Sequence, residues 1–194
     1  MFSFKESIKY GWERMKENFQ LTFFATLLLV AVGAMTGGRV LGFLAMIFLL
    51  ILRIGYLKIF LRMYDNEKPK FSDLFSEYPL FWKYLGVSIL YPLVVSGGLI
   101  LLIIPGIIWA VRFSFSPIIL VDTKMGPITS MKESYAITSG KFWNLFGFFL
   151  VIGLFNILGL LVLGVGLLIT IPVSMFAVIQ VYRKLTAEKS ALVA

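Results

Sequence analysis

The sequence contains no cysteine and no histidine. The first absence removes disulfides and thiolate zinc sites. The second removes imidazole ligation and the side chain that titrates nearest neutral pH, so no metal and no cofactor is expected. Carboxylates are also few, ten against 18 Lys and Arg. All ten (Glu6, Glu13, Glu17, Asp65, Glu67, Asp73, Glu77, Asp122, Glu133 and Glu188) fall between the long apolar stretches or at their edges. Proton-coupled carriers usually need an ionisable group inside the bilayer, and no acid is expected there. Paired acids, a serine with a base, a HExxH site and a phosphate-cradling glycine loop are lacking too, so no catalytic residue is expected and the chain reads as a non-enzyme.

Charge as a whole is sparse: 14% of the 194 residues are charged and 59% are apolar, with a mean hydropathy of +0.92. Soluble domains run near one quarter charged and one half apolar, so this chain needs lipid around it. The net charge of +8 does not point to nucleic acid, because the basic residues are scattered singly and never interleave with aromatics in a run. They read as the cytoplasmic excess of a membrane protein.

From Phe142 to Tyr182 there is no charged residue. A helix of that length would span roughly 60 Å at 1.5 Å per residue, twice the hydrocarbon core, so the stretch must cross, turn and cross back. Between Tyr84 and Val121 the sole charge is Arg112, and between Asn18 and Leu57 the charges are Arg39 and Arg53. The expected fold is therefore an all-α integral membrane protein with six transmembrane helices. They form three hairpin modules in one membrane domain, residues 1–194, with modules at roughly 3–64, 71–122 and 127–185. Glycines mark the outer turns: Gly37-Gly38 in the first module, Gly164 and Gly166 before Pro172 in the third. In the second, either Gly97-Gly98 or Pro105-Gly106 could hold the turn.

An amphipathic segment precedes each hairpin and is expected to lie on the inner membrane surface. In the first, Phe4, Ile8, Trp12, Met15 and Phe19 share a helical face, and Ser3 with Glu6 has capping-box spacing. The second, "FSDLFSEYPLFW", is broken by Pro79; a loop is its competing reading. The third offers Pro127 for a first helical position, Ser130 with Glu133 as a capping box and Gly140 as a stop.

Of the 18 Lys and Arg, 15 fall in the amino terminus, the two long connections and the tail, and only Arg39 falls on the opposite side. The positive-inside rule then puts both termini in the cytoplasm, as an even number of spans requires. A signal peptide cleaved near Ala31–Ala34 is the competing reading of the amino terminus. It would leave five spans, and the acids at Glu6, Glu13 and Glu17 do not fit a simple positive leader.

Two charges fall within spans, where an arginine costs about 2.5–3.5 kcal/mol on insertion scales. Arg53 is near the inner end, within reach of snorkelling. Arg112 lies ten residues before Asp122, about 15 Å along a helix. Three readings stay open for it: a structural arginine bonded to carbonyls freed near Pro105 or Pro117, a site for an anionic lipid headgroup or solute, and a counter-ion for another chain. Arg53 is the second candidate for such an anion. Asn156 and Gln180 in the third hairpin are candidates for polar helix packing, and Gly33 with Gly37 and Gly38 with Gly42 have GxxxG spacing.

The stretch "IIPGIIWAVRFSFSPIILVDTKMGPITSMKESYAITSGKFWNLFG" resembles the YciC-like inner-membrane proteins and the membrane domain attached to some bacterial glycerophosphodiester phosphodiesterases. Pro105-Gly106, Pro117, the "ILVD" ending in Asp122, Gly126, Met131, Ser134 and Trp143 carry the likeness. The resemblance implies a multi-pass protein of the prokaryotic cytoplasmic membrane; the catalytic domain of the longer relatives is not expected in this chain. The expected role is a non-enzymatic scaffold or accessory protein facing the cytoplasm. Its expected partners are membrane lipids, a cytoplasmic or membrane protein, or further copies of itself, and not nucleic acid. The alternative is a small carrier, channel or lipid-handling protein that receives an anionic group at Arg112.

Overall fold

The computed structural model describes residues 3–37, 40–162 and 164–193. Gly38 and Arg39, on which one expected turn, one GxxxG pair and the single outer charge depend, lie outside the described residues. Among the described residues the secondary structure is helical, with no strand. The helices are α1 Phe4–Glu17, α2 Phe19–Ala34, α3 Val40–Tyr64, α4 Phe81–Leu101, α5 Ile103–Arg112, α6 Ser116–Thr123, α7 Pro127–Thr138, α8 Phe142–Leu161 and α9 Leu167–Val193. Five stretches are long and apolar enough to cross a membrane: Gly42–Tyr64, Phe71–Leu101, Ile103–Thr123, Phe142–Leu161 and Leu167–Ala191. The α1–α2 pair, bent by 100°, makes a sixth if counted as one span. The chain is an all-α, multi-pass membrane protein.

It divides into two compact units. The first comprises Met1–Pro79 and Val151–Val181, the second Leu80–Leu150 and Tyr182–Ala194. The boundary cuts across the module at 127–185, because α8 and α9 each run through both units.

In the first unit α1 starts where Ser3 takes an extended N-cap conformation, but no side-chain cap bond forms. Its protein-facing strip is Ser7, Gly11 and Met15, while Trp12 and Phe19 stay almost half exposed. The apolar face read from periodicity is thus divided: Met15 packs against protein, Phe4 and Ile8 are half-buried, and Trp12 and Phe19 remain exposed. A Cβ on Gly11 would run into the carbonyl of Val173 on α9, so only a glycine permits this contact. Likewise, a Cβ on Gly55 of α3 would meet the backbone of Leu74. The segment after α3 forms two short 3₁₀ turns, Phe71–Phe75 and Tyr78–Leu80, in place of an amphipathic helix. Pro79 supplies no backbone donor, and Asp73 accepts from the Lys70 N–H at 3.0 Å and from Arg62 at 2.9 Å, which holds the tight turn.

In the second unit the α4–α5 reversal falls on Leu102, between the two markers considered. Gly98 and Gly106 face each other across it: a Cβ on Gly98 would lie 2.9 Å from the Gly106 Cα and 2.6 Å from the Trp109 ring. The glycines are there for close approach of two helices, and a single extended residue makes the turn. α7 begins on Pro127 with Gly126 as N-cap. Ser130 bonds back to the Gly126 carbonyl at 2.9 Å and is no cap. The helix stops before Gly140, which has φ +74, a left-handed conformation that favours glycine.

Candidate functional site

Arg112 ends α5, and residues 113–115 separate it from α6. A break within an apolar span frees carbonyls on one side and N–H groups on the other, and hydrocarbon offers them no partner. Hydroxyl side chains close this gap. Ser134 of α7 donates to the Arg112 carbonyl at 2.7 Å and accepts from the Phe115 N–H at 3.2 Å, so one side chain bridges both halves of the break. Thr138 adds a 3.3 Å bond to the same carbonyl. Ser114 and Ser116 take the carbonyls of Val111 and Phe113 at 2.8 and 2.7 Å. Ser134 and Thr138 are fully buried.

The Arg112 guanidinium sits over the Tyr135 ring, 4.4 Å from its centroid. It is half-buried. Among the described residues no carboxylate forms an ion pair with it. A ring face offsets part of the cost of partial burial and leaves the net positive charge in place. Such a guanidinium retains free N–H donors in a planar fork, the geometry that receives a carboxylate or phosphate.

The same unit carries a second polar cluster at the end of α9. Asp122 accepts from the Tyr182 hydroxyl at 2.7 Å and from Arg183 at 3.1 Å. Glu133 pairs with Lys189 at 2.6 Å and Glu188 with Lys141 at 2.6 Å. These contacts tie the last turns of α9 to α6, to α7 and to the residue preceding α8. Lys83 at the start of α4 donates to the Lys124 carbonyl at 2.8 Å, where Lys124 has φ 58.

The other candidates belong to the first unit. Arg53 is exposed on α3. Asn156 donates to Ser174 at 2.9 Å and to the Ile152 carbonyl at 2.9 Å, joining α8 to α9. The Gln180 side-chain oxygen is buried without a bonded partner, as is the Asn156 oxygen. Asn156 and Gln180 therefore do not form one bonded pair. Among the described residues no group of three or more acids could hold a metal.

Sequence reasoning singled out Arg112, named Ser134 only as part of the family likeness and gave it no place beside Arg112, and passed over Tyr135 and Thr138. The available signal was Ser130, Ser134 and Thr138 at four-residue spacing, a hydroxyl stripe along one face of α7.

The chain is 33% identical over 89 residues, 45% of its length, to a UPF0259 membrane protein of Sodalis glossinidius (strain morsitans). The match spans 36% of that relative's length. No family model matches, and no solved structure matches. The chain is thus a multi-pass membrane protein with a bacterial membrane protein of an uncharacterised family as its distant homologue.

Proposed function

We propose that this chain is a non-enzymatic scaffold or accessory protein of the prokaryotic cytoplasmic membrane, a member of the YciC-like family with both termini in the cytoplasm. The observation that carries the reading is the braced end of α9. Three charged contacts, Asp122–Arg183, Glu133–Lys189 and Lys141–Glu188, hold it to its neighbours. Exposed Lys132 and Lys184 project from that base. A surface fixed before binding loses less conformational entropy when a partner docks, which suits a platform for a cytoplasmic or membrane protein.

A second reading rests on Arg112. Its guanidinium, stacked on Tyr135 and without an acid partner among the described residues, is suited to the anionic group of a lipid or a transported solute. Native mass spectrometry of protein extracted gently into nanodiscs separates the two, comparing wild type with Arg112→Ala. The scaffold reading expects a stoichiometric protein partner, including a further copy of the chain, retained by both forms. A bound anion lost only from the variant would move the assignment to the carrier or lipid-handling function. Monomeric protein with neither would overturn both readings.

A further inference from the structure

The 100° bend between α1 and α2 opens a groove on the first unit. Its polar half, about 470 Å³, is bordered by Lys16, Asn18, Gln20 and Lys68. Its apolar half, about 460 Å³, is bordered by Leu21, Phe24 and Phe71. Gln20 and Leu21 line both halves, so the two lie side by side, ammonium groups on one side, the amide at their border and aromatic rings on the other.

We propose that this groove is a binding site for an anionic glycerophospholipid, with the phosphate between Lys16 and Lys68, the ester region at Gln20 and an acyl chain along Leu21, Phe24 and Phe71. Charge complementarity argues for the head. Among the described residues neither lysine pairs with a carboxylate, and Glu17, which also borders the polar half, is engaged by Arg14 at 3.1 Å. The Lys16 ammonium lies 5.9 Å from the Trp12 ring centroid, a contact that leaves its charge in place. Two such lysines beside an apolar slot at the start of α2 favour a lipid phosphate over a free one, because a free anion would leave the phenylalanine half uncovered. The wall facing α1 is set in advance. Arg14 donates to Asn66 at 2.6 Å, Tyr10 meets Tyr64 edge to face at 5.7 Å, and Arg62 with Asp73 holds the turn that carries Phe71. Arg112 plays no part in this site, and the proposal stands whichever function is correct.

The test uses the full chain in nanodiscs of equal phosphatidylglycerol and phosphatidylcholine, with retained lipid counted by native mass spectrometry. Wild type is expected to retain phosphatidylglycerol about tenfold over phosphatidylcholine, a preference two lysines can supply. Lys16→Ser with Lys68→Ser should bring the ratio near parity. Lys5→Ser with Lys9→Ser, the same charge loss placed on α1 away from the groove, should leave it unchanged. Phe24→Ser keeps both lysines and should still lower retention, and glycerol 3-phosphate should not displace the lipid. Should the double variant not fold, each single lysine variant is expected to lose part of the preference. Equal loss in the control would reduce the effect to bulk charge. An unaltered ratio in the groove variants, or displacement by glycerol 3-phosphate, would overturn the lipid site.

Discussion

The two ends of the second unit are held together by opposite chemistry. At the α4–α5 tip, Leu99 to Ile104 are all exposed, Ile100 at 84%, and no polar side chain interrupts the stretch from Gly97 to Trp109. In a membrane protein the burial of apolar surface otherwise covered by lipid gives no hydrophobic gain, so cohesion of such a tip must come from close packing. Gly98, Gly106 and Trp109 provide it. At the other end the side chains are charged and the contacts are ion pairs, with Asp122 held by both Tyr182 and Arg183. The hydroxyl-bridged break at Arg112 lies between these ends in sequence. Backbone groups there, not side chains, needed partners. The comparison teaches that polarity of the surroundings selects the fastening: small residues where lipid is the solvent, charges where water is.

Substitutions that exchange these fastenings should sharpen or break the contrast. Gly98→Val has the largest expected effect. It drives a branched side chain into Trp109 and the Gly106 backbone and should cost about 3 kcal/mol by overpacking, read as a lowered unfolding midpoint in detergent. Ser134→Ala comes next. Thr138 still reaches the Arg112 carbonyl, but the Phe115 N–H is orphaned at a cost of about 2 kcal/mol. Asp122→Ala removes the carboxylate that accepts from both Arg183 and the Tyr182 hydroxyl; because the pair is partly solvated, about 1–2 kcal/mol is expected, and added salt should narrow the difference from wild type. Lys141→Ala removes a contact to a half-exposed Glu188 and should shift the midpoint by less than about 1 kcal/mol. Should Lys141→Ala prove as damaging as Gly98→Val, the division of labour between the ends would be wrong.

Much of this fold was legible in the sequence because membrane thickness is a ruler: uncharged stretches two bilayers long must fold back. The legible parts include α7, started by Pro127 and ended before Gly140, and the amphipathic nature of α1. What was not legible depended on packing partners. Periodicity found the face bearing Phe4, Ile8, Trp12, Met15 and Phe19, of which Met15 belongs to the protein contact, yet that contact continues along Ser7 and Gly11, since a hydrophobic stripe on a membrane helix does not distinguish lipid from protein. Gly97-Gly98 and Pro105-Gly106 competed as turn markers because glycine serves turns and close approach alike, and at Gly98 and Gly106 it serves the latter. Arg112 stood out by its charge, whereas Tyr135 and Ser134 became visible as its surroundings only once α7 was folded against α5 and α6.

The central claim is that the ion-paired base of the second unit faces the cytoplasm as a docking platform. Because the chain lacks cysteine, Lys132→Cys gives a single reporter at an exposed position of that base, to be labelled with a membrane-impermeant maleimide in intact cells and in inverted vesicles. The account predicts labelling in inverted vesicles alone; labelling in intact cells would place the base outside and contradict it.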